Sequence, residues 1–245
     1  MALPALPVDW QFCAGEAIRG AFGETFERDP RIAEGIAGAV GDERLRVVAV
    51  PEPIPGSVLA GPVGGAWYWP EAEEALAEHR AHLVCVAKGP AGGDSRLRAL
   101  VLTRLLAILL RELDGIGVVW GGAPSIHAAA AFLASADEMT RDRLPLRLWV
   151  DFQVWRNDDG THSLRTSGME PFGRHELEVH GSPKGQDEVA SWAYNIAHYM
   201  LERGIEVEDG HAVGKSPTEW IRVHHVPSAF DPEKTVYFLD LEAEK

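Results

Sequence analysis

Hydrophobic and polar residues alternate in the middle of the chain, between Leu146 and His180. Successive side chains of a β-strand point to opposite faces, so alternate residues share a face. The first predicted strand has an apolar face that should contact the core, made of Leu148, Val150, Phe152 and Val154. Its other face holds an acid and an amide between two tryptophans: Trp149, Asp151, Gln153 and Trp155. The turn residues Asn157 to Gly160 predict a hairpin that returns through Thr161 to Thr166.

A second alternating stretch follows a bend that is rich in glycine and proline. Glu176, Glu178 and His180 are predicted to share one face of a strand, opposite His175, Leu177 and Val179. Two carboxylates and an imidazole in alternation are suited to metal binding or to general acid–base chemistry. Glu176 and Glu178 are therefore candidate catalytic residues, and Glu176, Glu178 and His180 are candidate metal ligands. The alternative, favoured by the usual exposure of Glu and His, is a solvated strand face.

Segments with apolar residues at helical spacing flank this region. Ser95 to Asp114 predicts a long helix capped by Asp94 or Ser95, and Asp187 to Arg203 predicts an amphipathic helix closed by Gly204, with Tyr199 on its apolar side. The apolar run Ala81 to Ala87 predicts a central strand. Further predicted elements are a helix from Pro30 to Val40, a strand at Val118 to Trp120, a helix from Ser125 to Ala136, and strands at Leu45 to Val50, Ile205 to Asp209, Trp220 to Val226 and Thr235 to Leu241.

Two more candidate catalytic residues come from these elements. His127 falls in the first turn of the predicted helix from Ser125, where the positive end of the helix dipole keeps an imidazole neutral and able to accept a proton. It also follows a Gly–Gly turn at the end of a strand, a place where α/β proteins bind ligands. Asp151 is the acid between the two tryptophans. Asp209 and His211 form a second polar pair downstream.

The order of these elements predicts an α+β fold with a mixed, mainly antiparallel sheet and helices packed on one face, ferredoxin-like in part. We expect residues 1–65 to form an N-terminal segment packed on a main α+β domain of residues 66–245. The proline- and glycine-rich stretch from Pro51 to Gly65 marks this boundary.

Composition and charge narrow the function classes. The 245 residues carry 37 acids against 23 bases, a net charge of -14, which disfavours nucleic-acid and anionic-membrane binding and suits a basic protein partner. The two cysteines form neither a zinc motif nor a disulfide framework. The loop Gly89 to Gly93 lacks the lysine of a phosphate-binding loop, and we expect no cofactor. The N-terminal residues lack a signal-peptide pattern, so the cytoplasm is the expected location.

The segment Thr166 to Val179, TSGMEPFGRHELEV, resembles the signature of a bacterial family, domain of unknown function 4261. A looser resemblance extends over Ala66 to Gly214. It includes Trp149 to Phe152, the Gly-Val-Val-Trp run followed by His127, and Asp209 to Gly214. The family has no assigned activity, so the resemblance implies relatives and not a particular chemistry.

Two functional hypotheses follow from the sequence. The first is a soluble bacterial protein that is not an enzyme and binds another protein, as an immunity or accessory factor does, through an acidic surface. The second is a small metal-dependent or acid–base hydrolase that uses His127, Asp151, Glu176 and Glu178. A serine nucleophile is not expected, because no Gly-x-Ser-x-Gly turn is present.

Overall fold

The computed structural model describes residues 1–23, 26–28, 35–216 and 219–242. Contacts between residues divide the chain into two compact units, Met1–Thr140 and Arg141–Lys245. Residues 1–65, predicted from the sequence as an N-terminal segment packed on the main domain, supply the first four strands and two helices of the first unit. No helix in the described part of the chain is both long enough and apolar enough to cross a membrane.

The first unit combines a seven-stranded sheet with helices, counted over its described residues. Its strands are β1 (Ala2–Leu3), β2 (Glu27–Arg28), β3 (Gly35–Val40), β4 (Glu43–Val50), β5 (Ala81–Lys88), β6 (Gly117–Trp120) and β7 (Ser125–Ala128). Its helices are α1 (Trp10–Phe22), α2 (Gly56–Gly65), α3 (Ala72–Ala77), α4 (Ser95–Glu112) and α5 (Ala129–Asp137). The strand order is β2-β3-β4-β5-β1-β6-β7, and neighbouring strands are antiparallel throughout.

Helix α4 begins where the sequence predicts it. The Asp94 carboxylate accepts hydrogen bonds from the backbone N–H groups of Arg96 and Leu97, which caps the helix. Its apolar side, which includes the buried Leu105 and Leu109, packs against β4 and β5. On β7 the ring of His127 contacts Phe132 of α5, so the neighbouring Ile126 points to the opposite face of the sheet.

Ile126 belongs to a small apolar cluster through which α2 and α3 pack on the face of the sheet to which Ile126 points. The cluster contains Ala2, Ile54, Ala66, Leu76 and Ile126. These helices cover the end of the sheet that holds β7. Helices therefore lie on both faces of the first sheet.

The second unit has a six-stranded sheet covered by one long helix, again counted over the described residues. Its strands are β8 (Asp151–Arg156), β9 (His162–Ser167), β10 (Leu177–Ser182), β11 (Ala212–Ser216), β12 (Glu219–Pro227) and β13 (Thr235–Asp240). A one-turn helix, α6 (Leu146–Trp149), precedes β8, and α7 (Gln186–Arg203) follows β10. A short 3-10 helix spans Glu170–Phe172.

Strand order in the second sheet is β11-β12-β13-β10-β9-β8, with antiparallel pairing except between β10 and β13. Helix α7 packs on the side that carries Phe152 of β8, whose ring lies 5.7 Å from that of Tyr194. Gly204 closes this helix in a left-handed conformation with φ of 66°, as predicted. The predicted hairpin is confirmed: Asn157 N–H donates to the Thr161 carbonyl at 2.8 Å, and Gly160 adopts a positive φ of 86°.

The predicted α+β class with mainly antiparallel pairing is confirmed, although the strands form two sheets and a ferredoxin-like arrangement is not confirmed. Four predicted elements are wrong, and one of them, the strand at Ile205 to Asp209, is described with the cleft below. Leu146–Trp149 is helical, because Leu146, Leu148 and Trp149 are all buried and no alternation operates there. Ser125–Ala128 is a strand. Gly35–Val40 is a strand within the predicted helix 30–40, whose residues 30–34 lie outside the described residues.

Candidate functional site

The face of the second sheet that points away from α7 carries a row of polar side chains. Glu178 of β10 lies opposite Arg165 of β9, and Arg165 lies opposite Gln153 of β8. Arg165 Nε donates to Gln153 Oε1 at 2.9 Å, and Gln153 Nε2 donates to Asp151 Oδ2 at 2.8 Å. Burial raises the pKa of the Asp151 carboxyl, while the Gln153 hydrogen bond and the Arg165 charge oppose that rise. The Asp151 carboxylate is thus hydrogen-bonded to the Gln153 amide, which is in turn hydrogen-bonded to Arg165.

Glu178 is the most enclosed acid of this row, with 3% of its surface exposed. Its carboxylate accepts hydrogen bonds from Ser228 Oγ at 2.5 Å and from the Ala229 backbone N–H at 3.1 Å. His180 Nε2 lies 2.7 Å from Glu178 Oε2, and the imidazole is 38% exposed and rests against Phe238. A buried carboxylate that orients a half-exposed imidazole is an arrangement suited to general base chemistry. Through its hydrogen bonds to Ser228 and Ala229, Glu178 also holds the loop between β12 and β13 in place.

Glu176 does not join Glu178 and His180. Strand β10 begins only at Leu177, so the predicted alternation does not reach Glu176. Its carboxylate accepts hydrogen bonds from Thr166 Oγ1 at 2.7 Å and from the backbone N–H groups of Gly168 and Met169 at 2.8 and 2.9 Å. Across residues 1–23, 26–28, 35–216 and 219–242, no group of three His, Cys, Asp or Glu side chains is placed to hold a metal ion.

A cleft of about 560 Å³ lies beside α7 in the same unit, and sequence reasoning did not find it. Its lining comes from α7, from the segment after the helix and from β11: Trp192, Asn195, Ile196, Tyr199, Ile205, Glu206, Val207, His211, Ala212, Val213 and Gly214. Tyr199 is 44% exposed, whereas Trp192 and Ile196 are buried. Two features of the sequence could have indicated this cleft. One is the aromatic Tyr199 on the apolar side of α7, and the other is the alternation of apolar and acidic residues that begins at Ile205. The segment is not a strand, contrary to the prediction.

Acidic residues are concentrated in the segment that supplies part of the lining of this cleft. Glu206 lines it, and the Tyr237 hydroxyl donates to Glu206 Oε1 at 3.4 Å. Glu208 and His211 form an exposed pair at 3.3 Å. The backbone N–H of His225 donates to Asp209 at 2.9 Å and lowers the pKa of the Asp209 carboxyl. Asp209 and His211 therefore each have a partner of their own: the His225 backbone N–H for Asp209 and Glu208 for His211.

Residues 165–239 match the family model DUF4261, a domain of unknown function. The match confirms the resemblance and contains its whole signature segment, whereas residues 66–164 of the looser resemblance lie outside the DUF4261 match. Comparison with curated proteins found no match, and neither did comparison with solved structures.

The DUF4261 segment contains the whole cleft and part of the polar row. Glu176, Glu178 and His180 lie in it, and so does every residue that lines the cleft. Asp151 lies outside this segment, on strand β8, which precedes it in the chain. The matched part of the chain therefore carries the cleft together with the Glu206 carboxylate that lines it.

His127 lies in the first unit, outside the DUF4261 segment. It is on strand β7 and not in a helix, so the predicted effect of a helix dipole does not apply. The imidazole is buried, and its ring stacks on Tyr68 with 5.9 Å between centroids. The other candidate catalytic residues, Asp151, Glu176 and Glu178, belong to the second unit.

Proposed function

We propose that this chain is a protein-binding factor without catalytic activity, comparable to an immunity or accessory protein, and that the cleft beside α7 holds a basic segment of its partner. The observation that carries the proposal is the cleft itself. It joins an exposed aromatic side chain, a strand at the edge of a sheet and the carboxylate of Glu206 within one concave surface of about 560 Å³.

The strand beside the cleft gives the partner a backbone to pair with. Within the described part of the chain, β11 is the terminal strand of its sheet and pairs with β12 alone. Edge strands of this kind accept an extended peptide as an additional strand, with backbone hydrogen bonds for affinity and side-chain pockets for selectivity. Ala212, Val213 and Gly214 of β11 line the cleft, so a peptide added there would lie along it.

The side chains around the cleft favour a cationic peptide. Glu206, Glu208 and Asp209 are exposed within four consecutive residues, and the chain as a whole has a net charge of -14. Tyr199 offers an exposed ring, and a lysine or arginine placed over such a ring gains a cation–π interaction. These features support the proposal of a basic protein partner. The low cysteine content is in keeping with a bacterial cytoplasmic location, which is part of the same proposal.

A fluorescent peptide that alternates lysine and valine tests the cleft directly. We expect fluorescence anisotropy to show binding that Tyr199→Ala weakens about tenfold and that the double variant Glu206→Gln, Glu208→Gln weakens similarly. The matched controls are Phe230→Ala, which removes another exposed aromatic ring, and Glu170→Gln with Glu233→Gln, which makes the same change of charge. Absence of binding, or binding that the cleft variants leave unchanged, would refute the proposal.

The second candidate function is the acid–base or metal-dependent hydrolase that would use His127, Asp151, Glu176 and Glu178. The observation that favours it is the 2.7 Å contact between buried Glu178 and half-exposed His180. It predicts hydrolysis of simple p-nitrophenyl esters that His180→Ala removes and that His198→Ala does not affect. Equal rates for the wild type and His180→Ala would exclude this role for the pair.

A further inference from the structure

No helix of the described residues covers one half of one face of the first sheet. On β5, Val84 and Val86 are 43% and 50% exposed, although this strand lies in the interior of the sheet. Leu83 alternates with them and is buried on the side covered by α4. Strands β3, β4 and β5 thus present an open surface, and the groove over it has a volume of about 1170 Å³. An exposed apolar surface on an interior strand indicates a binding site.

Cations border these valines on the same face. Arg44 of β4 lies directly opposite Lys88 of β5, and Arg46 lies opposite Val86. Like charges placed directly opposite each other on adjacent strands repel and destabilise a sheet. Among the described residues, neither Arg44 nor Lys88 is paired with a carboxylate. The chain therefore keeps a repulsive cation pair on an open apolar face despite its net charge of -14.

The shape and charge of this surface select the occupant. Ala37 and Ala39 of β3 share the face and are small, so the floor of the groove is low enough for an extended chain to lie on it. A carboxylate placed between Arg44 and Lys88 would relieve their repulsion. Glu27 and Asp42 also line the groove. A peptide can place neutral side chains beside these two acids and its carboxylates at the cations, whereas a nucleic acid carries a negative charge at every phosphate.

We infer that this open face, defined by Arg44, Lys88, Val84 and Val86, binds an extended acidic segment of a partner protein. Carboxylates of the segment contact Arg44 and Lys88, and its aliphatic side chains cover the two valines. The inference is independent of the cleft beside α7, because the two surfaces lie in different units and select peptides of opposite charge. A chain with both surfaces can hold two different segments.

A fluorescent peptide that alternates glutamate and valine serves as the probe with the full chain. We expect binding by anisotropy that weakens with rising salt, as contacts between exposed charges do. Arg44→Gln with Lys88→Gln should weaken binding about tenfold, and Val84→Ser with Val86→Ser should have a similar effect. The control is Arg19→Gln with Arg111→Gln, which makes the same change of charge at exposed arginines elsewhere in the unit. Circular dichroism of each variant verifies that the fold is retained.

Each alternative outcome has a distinct signature. Absence of binding, or binding that the Arg44 and Lys88 variant leaves unchanged, overturns the inference. Displacement of the peptide by an oligonucleotide at equal concentration overturns the choice of a polypeptide. Self-association that this variant abolishes in sedimentation experiments would assign the face to a second copy of the chain instead. Tyr199→Ala must leave acidic-peptide binding unchanged, so failure at one surface is distinguishable from failure at the other.

Discussion

Glu176→Ala removes a carboxylate that organises the bend between β9 and β10. Its oxygens accept hydrogen bonds from Thr166 Oγ1 and from the backbone N–H groups of Gly168 and Met169, all within 2.9 Å. Hydrogen bonds to charged groups contribute about 1.5–3 kcal/mol each. Because the side chain is only partly buried, water replaces part of that energy, and we take about 1 kcal/mol per bond. The free energy of unfolding should therefore fall by about 3 kcal/mol.

Urea titration followed by tryptophan fluorescence measures this loss. Glu176→Gln keeps one acceptor oxygen for the two backbone groups and should cost about 1 kcal/mol. The control is Glu170→Gln, which removes an exposed ion pair with Lys234 and should change stability by less than about 1 kcal/mol. A loss below about 1 kcal/mol for Glu176→Ala would refute the structural role and return Glu176 to the candidate catalytic residues.

Three further substitutions or reactions test other parts of the structure. Burial raises the pKa of the Asp151 carboxyl, so its ionised form lowers the stability of the fold at neutral pH. This loss of stability disappears as the pH falls through the raised pKa towards 3.8. Asp151→Asn should therefore raise the urea midpoint more at neutral than at acidic pH. Gly38→Ala would place a Cβ 2.5 Å from the buried Phe26 ring and should lower the free energy of unfolding by about 1–3 kcal/mol. Gly20→Ala, whose Cβ meets no atom within 4 Å, should not destabilise the protein. Thermal melts compare the two variants. Burial raises the pKa of the Cys85 thiol from 9.0 to about 11, which lowers the fraction of reactive thiolate near neutral pH. In a Cys13→Ser background, a disulfide reagent should therefore react with Cys85 about a hundredfold more slowly in the folded than in the denatured protein. Equal urea shifts at both pH values, a tolerated Gly38→Ala, or equal labelling rates would each contradict the corresponding interpretation.

Local signals in the sequence predicted the elements whose two faces differ. Phe152 and Asp151 alternate between the α7 face and the polar face, and Asp94 and Gly204 mark helix ends through capping chemistry. The prediction is wrong where side chains are buried on every side, as at Leu146 to Trp149, because periodicity then carries no information. The alanine run from Ala128 to Ala131 favours a helix, so the sequence predicts one from Ser125, but pairing with β6 makes Ser125 to Ala128 a strand.

The site was partly predictable for the same reason. Glu178 and His180 are two residues apart on one strand, so their contact follows from alternation. Glu176 lies one residue before the strand, and the turn that it binds could not be predicted from spacing. The cleft beside α7 requires knowledge of which segment lies next to Tyr199 and which strand ends the sheet. Both depend on tertiary contacts between residues that are distant in the sequence.

The two-residue strand β1 has a consequence for biosynthesis. It lies between β5 and β6, and Ala2 pairs with His82 and with Gly117, which follow it by about 80 and 115 positions. A ribosome delivers β1 long before either neighbour. β1 therefore has neither partner until β5 has emerged, and its edge that pairs with β6 stays open while α4 follows. Only when β6 leaves the exit tunnel can β1 join the two parts of the sheet.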